Sequence, residues 1–332
     1  MAKLANVSTG TVDRIIHNRG QVAQENVDKV NAIIKEYGFK RNVFASNLAF
    51  NKKFVFAVLL PKDDNVEYWH NHVLGIQKAA KEYESYGVVL EFFFYDFDAK
   101  SFSIKAKEVL KSTFQGLLFA PVFHDESIIF LKKWKEKNTA VVMVDSNLKL
   151  GSPHAYFGQD AFKSGFLAGK LISLSKYQTH QILVVKITRE IETTSVYLQR
   201  MEGFTSFFTN NPEQKEVSFT EVTIKDTETN QLTLAVFKDI DSIFVPNSRA
   251  YLIAEFLEKN KIKGIRIVGY DLLEQNKAYL KKGMIDFLIN QKPEIQSYMA
   301  IECLYKQLVL QESVLETQYM PLEIIVKENL EE

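Results

Sequence analysis

Aromatic and hydrogen-bonding side chains follow four short apolar runs of the sequence. The first run, residues 55–60, ends at Pro61 and leads to Tyr68 and Trp69. The other three runs end in the triplets Asp145-Ser146-Asn147, Pro246-Asn247-Ser248 and Gly269-Tyr270-Asp271. Sugars bind to such a mixture, because their C–H faces pack on aromatic rings while each hydroxyl both donates and accepts hydrogen bonds. These residues therefore indicate a site for a small polar ligand.

Such side chains meet only if a scaffold brings the ends of separate segments together. Seven apolar runs have the length of strands: residues 55–60, 88–94, 116–120, 140–144, 182–187, 243–245 and 265–268. Helical periodicity fits five intervening segments: residues 73–83, 104–111, 128–137, 165–174 and 250–259. This alternation predicts an α/β fold with parallel, helix-covered sheets, in which ligands bind at the carboxyl ends of the strands.

Structural roles stay open for the same residues. Asp145 and Asp271 would also suit the start of a following helix, where aspartate accepts hydrogen bonds from free backbone N–H groups. Tyr68 and Trp69 would also suit an aromatic core. We favour the functional interpretation, because all of these residues follow strands and would converge on one cleft.

The first forty residues have a different pattern, that of short helices. Ser8 precedes Val12, Ile15 and Ile16, whose spacing predicts a short amphipathic helix capped by Ser8. A second helical pattern covers residues 26–37. Short helices this close together make a helix-turn-helix unit plausible.

The charge is divided unevenly although the chain is neutral overall. Residues 1–53 contain nine Lys and Arg against four Asp and Glu, which leaves 32 basic and 37 acidic residues in the remainder. A basic head on an acidic body favours a nucleic-acid partner for the head, because phosphates attract local positive charge. A solvated basic face would give the same count.

Other classes of function find little support in the sequence. No signal-peptide pattern or charge-free apolar span occurs, so we expect a cytoplasmic protein without a membrane segment. The single cysteine, Cys303, lies in an apolar helical pattern that favours a buried thiol. The histidines lack the spacing of metal ligands, and no nucleophile elbow or glycine-rich cofactor motif occurs. We therefore expect no enzyme activity, no metal and no cofactor.

The N-terminal residues resemble the lac-repressor (LacI/GalR) family of bacterial transcription regulators. The family pattern Ala-x-x-Ala-x-Val-Ser-x-x-Thr-Val-x-Arg is matched from Ala2 to Arg14. The resemblance implies that the helix opened by Ser8 lies in the major groove of double-stranded DNA. The DNA-binding residues that it implies are Ser8, Thr9, Gly10, Thr11, Arg14, Asn42 and Leu48.

Two of these residues carry most of the implied chemistry. The Arg14 guanidinium is able to donate two hydrogen bonds to guanine, although a surface arginine that pairs with Asp13 or with a phosphate stays an alternative. Leu48 matches the leucine of the family's hinge helix, which enters the minor groove between base steps. A linker residue packed on the core is the other role for Leu48. Arg41 stands where the family usually has proline.

The start of the headpiece departs from the family. Members of the family usually have several residues before the position of Met1, so we expect the first headpiece helix to be truncated. Either the start of the chain is assigned too late or the headpiece binds DNA more weakly.

The remainder of the chain resembles the ribose-type periplasmic binding proteins, to which the sensor of the lac-repressor family is related. The resemblance implies that Arg200, Gln291 and Gln159 join the strand-end residues, with Gln159 at the first crossing between two lobes. An ion pair of Arg200 with Glu202 or another surface acid stays open as an alternative. The implied ligand-binding set is Tyr68, Trp69, Asp145, Asn147, Gln159, Arg200, Asn247, Tyr270, Asp271 and Gln291.

These observations together predict a small all-α headpiece followed by a two-lobed periplasmic-binding-protein-like domain. The predicted divisions are a headpiece over residues 1–40, a hinge helix or linker over 41–53, and an effector domain over 54–330. Within the effector domain we expect a first lobe at about 54–160 and 292–319 and a second lobe at about 161–291 and 320–330. We expect a homodimeric regulator whose affinity for operator DNA is controlled by a small-molecule effector, most simply a monosaccharide. The alternative is a cytoplasmic solute sensor whose headpiece no longer binds DNA specifically.

Overall fold

The computed structural model describes residues 1–16, 20–37, 52–62, 67–148, 155–174, 180–188, 194–211, 217–226, 232–314 and 316–330. The chain divides into two compact units, Met1–Lys52 and Lys53–Glu332. Asn42 and Leu48, with the predicted hinge around them, lie outside the described residues.

The described part of the first unit consists of three helices: α1 (Ala2–Ala5), α2 (Thr9–Ile16) and α3 (Gln24–Glu36). Ser8 precedes α2, and its Oγ accepts a hydrogen bond from the backbone N of Thr11 at 3.0 Å. This contact satisfies one of the free N–H groups at the start of the helix. Val12, Ile15 and Val30 form the core of the unit together with Ala5.

The first lobe of the second unit is built on a parallel sheet that has six strands among the described residues. Its order is β11-β5-β4-β3-β1-β2. These strands are β1 (Phe54–Pro61), β2 (Val88–Tyr95), β3 (Gly116–Phe119), β4 (Ala140–Val144), β5 (Ala155–Gly158) and β11 (Thr317–Tyr319). The helices of this lobe are α4 (Glu67–Tyr83), α5 (Ala99–Lys111), α6 (His124–Lys135) and α11 (Pro293–Leu308), with a short 3-10 turn at Glu84–Tyr86.

The second lobe repeats this arrangement, again with six strands in the described part. Its order is β12-β10-β9-β8-β6-β7, and β12 runs antiparallel to β10. The strands are β6 (His180–Thr188), β7 (Val217–Lys225), β8 (Ser242–Phe244), β9 (Arg266–Tyr270), β10 (Phe287–Asn290) and β12 (Glu323–Ile325). The helices are α7 (Ala161–Ser173), α8 (Ser195–Asn210), α9 (Ala250–Lys259) and α10 (Glu274–Lys281), with a 3-10 turn at Leu234–Phe237.

The sheet of the second lobe is covered by apolar side chains on both faces, as parallel sheets require. In β6, Leu183, Val185 and Ile187 belong to one apolar cluster, while Ile182 and Val184 belong to another on the opposite face. This alternation follows from the two-residue period of a strand. Most apolar runs of the sequence therefore become central strands, whereas the run 88–94 becomes the edge strand β2.

The chain passes between the two sheets three times, after β5, after β10 and after β11. The carboxyl ends of the parallel strands in each sheet lie at one edge. Asp145 follows β4 and Asp271 follows β9, and both adopt the left-handed backbone conformation, with φ of 64° and 67°. Aspartate tolerates this conformation better than most residues, so equivalent turns carry a carboxylate in both lobes.

Candidate functional site

A pocket opens between the two lobes at the carboxyl ends of their strands. Its volume is about 130 Å³. Seven of the residues predicted from the sequence line it: Tyr68, Trp69, Asp145, Arg200, Asn247, Asp271 and Gln291. Asn147, Gln159 and Tyr270 do not contribute to its wall.

The aromatic side of the pocket is supplied by the first turns of α4. Tyr68 and Trp69 are buried and meet edge to face, with ring centroids 5.3 Å apart. His72, one turn further, stacks on Trp69 at 5.0 Å and shares a 2.6 Å hydrogen bond between its Nδ1 and Ser297 Oγ. Burial lowers the pKa of His72 to about 3, so the ring is neutral at physiological pH. The neutral His72 ring is therefore held in place and packs against one face of Trp69.

Asp145 faces these rings from the end of β4. Its carboxylate accepts hydrogen bonds from the hydroxyls of Tyr68, at 2.6 Å, and Ser146, at 2.8 Å. Its backbone N donates to Gln296 Oε1 at 3.1 Å. Burial is the largest cause that raises the pKa of Tyr68, which keeps the phenol protonated as a donor. Asp145 is thus held by side chains rather than used as a helix cap.

Three buried side chains joined by hydrogen bonds, those of Arg200, Gln291 and Asp271, form the second-lobe wall. We call them the buried relay. Arg200 donates to Pro246 O at 2.9 Å and to Gln291 Oε1 at 2.5 Å. Gln291 in turn donates from Nε2 to Asp271 Oδ2 at 2.8 Å and from its backbone N to Oδ1 at 3.2 Å. Burial raises the pKa of Asp271 to about 7, although the hydrogen bonds from Gln291 and the charge of Arg200 oppose this rise.

Arg200 is only 4% exposed and takes part in these buried hydrogen bonds. A surface ion pair with Glu202 therefore does not describe this side chain. The guanidinium lies 3.8 Å from the centroid of the Tyr270 ring. The Tyr270 ring therefore packs against the guanidinium of Arg200 and does not line the pocket. Its hydroxyl lies 3.1 Å from Ser164 Oγ. Asp271 does not cap a helix either, since the N-cap of α10 is Leu273.

Gln159 has a role at the crossings between lobes. Its Nε2 donates to Asn290 O at 2.8 Å and to Pro321 O at 3.0 Å, so that the side chain joins all three crossing segments. Asn147 follows the lining residue Ser146 in the chain, and its Oδ1 is buried without a hydrogen-bond partner among the described residues. Asn247 lines the pocket while its amide fixes the loop after β8, donating to Ile187 O and accepting from Arg249 N.

Other lining residues were not predicted from the sequence. The second lobe adds polar and charged groups: Lys186, Thr188, Thr194, Tyr197 and Arg249. Ser248, from a strand-end triplet of the sequence, also lines the pocket. Phe97 and Val122 add apolar wall from the first lobe. Phe97 and Val122 follow β2 and β3, and Lys186 and Thr188 end β6, so the strand-end rule applied to every apolar run would have found them.

Helix α2 and Ser8 before it carry the described residues that are predicted to bind DNA. Ser8, Thr9, Gly10 and Arg14 are exposed and Thr11 is half-buried. Val12 and Ile15 point into the core instead, because helical periodicity separates the two faces. The sequence-predicted face is therefore open to a partner.

The family of the chain follows from a match to its second unit. Residues 56–312 match the model of the periplasmic binding protein domain, which is more than half of the chain. The chain belongs to the periplasmic binding protein domain family. Residues 1–42 match the model described as bacterial regulatory proteins, lacI family. The expected lac-repressor-type chain, an α/β two-lobed sensor behind a helical headpiece, is confirmed. Neither matched family is a family of enzymes.

Relatives of known structure cover the sensor. A crystal structure assigned as a LacI transcriptional regulator from Bacteroides fragilis is similar with a TM-score of 0.78 and 28% identity, over 84% of this chain and 98% of that one. GanP, a glucose-galactose binding protein from Geobacillus stearothermophilus, has a TM-score of 0.73 and 22% identity, over 84% and 99% of the two chains. At that identity the second likeness shows the fold alone.

Curated relatives match a shorter stretch. Catabolite control protein A of Staphylococcus xylosus is 30% identical over 89 residues, which is 27% of this chain and 27% of the relative. The match thus spans about a quarter of the curated relative's length. No helix in the described part of the chain is both long and apolar enough to cross a membrane, and no cluster of metal-ligating side chains occurs there.

Proposed function

We propose that the protein is a cytoplasmic, homodimeric transcription regulator of the LacI type, and that a sugar bound between its lobes controls its affinity for operator DNA. The observation that carries this proposal is the pocket. Its volume is about 130 Å³. An unsubstituted six-membered ring fits a cavity of roughly 150 Å³. A monosaccharide with its hydroxyl groups therefore requires the lobes to stand further apart than they do here, and its support comes from the residues that line the pocket.

The wall of the pocket supports the same class of ligand. Tyr68 and Trp69 offer aromatic faces to the C–H groups of a sugar ring, while Asp145, Asp271 and Arg200 offer acceptors and donors to hydroxyls. GanP is described as a glucose-galactose binding protein, and related solute-binding proteins have been crystallised with D-allose and with D-arabinose. These ligands belong to those proteins and support a sugar here by analogy of fold.

Control of DNA binding requires two states with different affinity for each ligand. A sugar that touches both lobes favours the arrangement in which they close on it. Closure moves the lobes about the three crossings joined by Gln159. In a homodimer such a movement changes the spacing of two headpieces, which fits a near-palindromic operator.

The DNA-binding half is tested with Arg14. Duplexes selected from a random pool are measured by fluorescence anisotropy at several salt concentrations, with and without a panel of sugars. The full chain is expected to prefer some sequences and to bind less tightly as salt rises. Arg14→Ala should lose about 1–3 kcal/mol of discrimination at the contacted base pair.

A matched control separates recognition from charge. Arg14→Lys keeps the positive charge but not the rigid fork of donors, so it should keep the salt dependence while losing part of the sequence preference. If the unaltered chain is indifferent to every duplex sequence, the regulator is excluded and a solute sensor without specific DNA binding remains.

A further inference from the structure

Two neighbouring turns of the second lobe contribute to the wall of the pocket. The turn after β8 contributes residues 246–249, and the turn after β9 contributes Asp271. The parallel pairing of β8 with β9 extends to Phe244 and Val268, before either turn begins. The pairing of the strands therefore does not by itself set the distance between the two turns.

Asn276, in the first turn of α10, contacts both turns. Its Nδ2 lies within hydrogen-bond distance of three backbone carbonyl oxygens, those of Ser248 at 2.9 Å, Tyr270 at 2.9 Å and Asp271 at 3.1 Å. Its Oδ1 accepts from the backbone N of Tyr251 at 2.8 Å. The side chain is 0% exposed, and it is not among the described residues that line the pocket. Asn276 thus joins the turns from behind the wall.

The four backbone partners of Asn276 are specific for an amide. Carbonyl groups only accept and a backbone N–H only donates, so the side chain between them has to offer an acceptor and donors together. The amide group provides one oxygen for the N–H and two protons for the three carbonyls. Most other side chains at this position would leave buried backbone groups without partners, which destabilises the turns.

The same amide also holds the start of α9. Arg249 is the N-cap residue of this helix, and its side chain makes no capping hydrogen bond within the described part of the chain. Tyr251 is the second residue of α9, where the backbone N–H has no acceptor within the helix itself. Asn276 Oδ1 supplies that acceptor. The start of α9 is therefore attached to α10.

The two turns also lead into an apolar contact between the lobes. Leu273, two residues after Asp271, is 5% exposed and belongs to the apolar cluster of the first lobe. Tyr251 is partly buried against the same cluster. A shift of either turn would therefore change the wall of the pocket and the contact between the lobes together.

We infer that Asn276 is a positioning residue for the pocket. By holding the turns after β8 and β9 together, it keeps Ser248 and Asp271 in place for a ligand that it does not touch. Without this amide the ligand itself has to order the turns, and the cost of ordering them lowers its affinity. The inference rests on the proposed function, because it assigns a part in sugar binding to a residue outside the pocket.

Hydrogen exchange on the purified full chain tests the positioning without a ligand. In Asn276→Ala the amides of residues 247–251 and 271–273 should exchange at least about tenfold faster, because the turns lose the contacts that close them. The amides of β8 report the stability of the whole lobe and should change less. If the turns gain no more than the strand does, the inference is overturned.

Two further variants keep the exchange experiment decisive. Asn276→Asp has nearly the same shape and keeps an acceptor for Tyr251 N, but a carboxyl group donates at most one proton to the three carbonyls. It should loosen residues 271–273 more than the Tyr251 amide, and it serves in place of Asn276→Ala if that variant does not fold. Leu257→Ala is the control for stability, since Leu257 is 2% exposed near the other end of α9. It should speed exchange without a selective effect on the turns.

Titration calorimetry measures the effect on binding. D-glucose, D-galactose, D-ribose and D-arabinose are tested with the unaltered chain, and the sugar that binds most tightly is the probe for the variants. Under conditions in which all of them are folded, Asn276→Ala should bind it about tenfold more weakly and Leu257→Ala as the unaltered chain does. Equal affinity in Asn276→Ala and the unaltered chain would overturn the role in binding. If none of the four sugars binds, that result counts against the proposed ligand class, and hydrogen exchange still decides whether Asn276 positions the turns.

Discussion

The buried relay of Arg200, Gln291 and Asp271 makes stability depend on pH. Burial raises the pKa of Asp271 from 3.8 to about 7. The folded chain therefore holds a proton between pH 4 and 7 that the unfolded chain releases, so this residue's contribution is fully present below pH 4 and is lost as pH rises through about 7. Three pKa units correspond to a loss of up to about 4 kcal/mol.

Asp271→Asn should remove that part of the pH dependence. Asparagine keeps an acceptor for the backbone N of Gln291 but has no proton to lose. Urea unfolding at pH 5, 6, 7 and 8 gives the free energy of unfolding of both proteins. Asp239→Asn, at an exposed aspartate whose left-handed backbone asparagine also adopts, is the control and should leave the slope as it is. If the free energy of unfolding of Asp271→Asn depends on pH as that of the unaltered chain does, groups other than Asp271 cause the pH dependence.

Individual residues of the pocket differ in how far the sequence reveals them. Asp145 and Asp271 were predictable because a polar residue directly after a buried strand falls at the ligand edge. Tyr270 was assigned to the wall, but successive strand residues face opposite sides, which sends its ring under Arg200 while Asp271 faces the pocket. Gln291 follows a four-residue strand that gives no periodic signal, so its part in the relay came only from the family resemblance.

Helices α7 and α8 set the position of Arg200 through a close backbone contact. A Cβ on Gly165 would overlap the carbonyl oxygen of Arg200, and a Cβ on Gly203 would overlap the carbonyl oxygen of Phe162. Neither obstacle is a flexible side chain, so the two helices would have to separate. Glycine at these two positions is thus a condition for the guanidinium to reach the pocket.

Gly165→Ala should therefore destabilise the chain by about 1–3 kcal/mol, as overpacking does, and should also weaken sugar binding because Arg200 moves. Urea unfolding measures the change in stability. Titration calorimetry with a sugar that binds the unaltered chain measures the change in affinity. Lys170→Ala lies on the exposed face of the same helix and should change neither quantity by more than about 0.5 kcal/mol. Normal stability together with normal sugar affinity in Gly165→Ala would refute the role of Gly165 in positioning Arg200.

The helices and strands with a strong apolar pattern were predictable from the sequence, whereas the others were not. The predicted run 140–144 coincides with β4, and the run 55–60 lies within β1. The edge strand β7 was missed because most of its side chains are exposed and polar, which leaves no apolar run. The three-residue strands β11 and β12 were missed because their pairing depends on contacts distant in sequence.

Across the whole second unit, hydrogen bonds connect the pocket with the crossings between lobes. Asp145 contacts the pocket with its carboxylate, and its backbone O accepts from Tyr156 Oη at 3.0 Å. The same hydroxyl lies 2.9 Å from Gln159 O, although it has one proton to donate. Gln159 then reaches the other two crossings with its side chain. Gly158 allows this contact, because a Cβ there would overlap Tyr156 Oη.

A hydroxyl shared between two carbonyls is able to follow a movement of either one, so we expect Tyr156 to link the ligand to the crossings. Tyr156→Phe keeps the buried ring but removes the hydrogen bond. The free energy of unfolding should fall by about 1 kcal/mol. The coupling between sugar and DNA, measured as the ratio of DNA affinities with and without saturating sugar, should fall by about 0.5–2 kcal/mol. Tyr319→Phe, whose exposed ring meets Tyr156 edge to face, removes a hydroxyl outside the network and should preserve the coupling. Equal coupling in Tyr156→Phe and the unaltered chain would show that the movement reaches the crossings through the strands rather than through this hydroxyl.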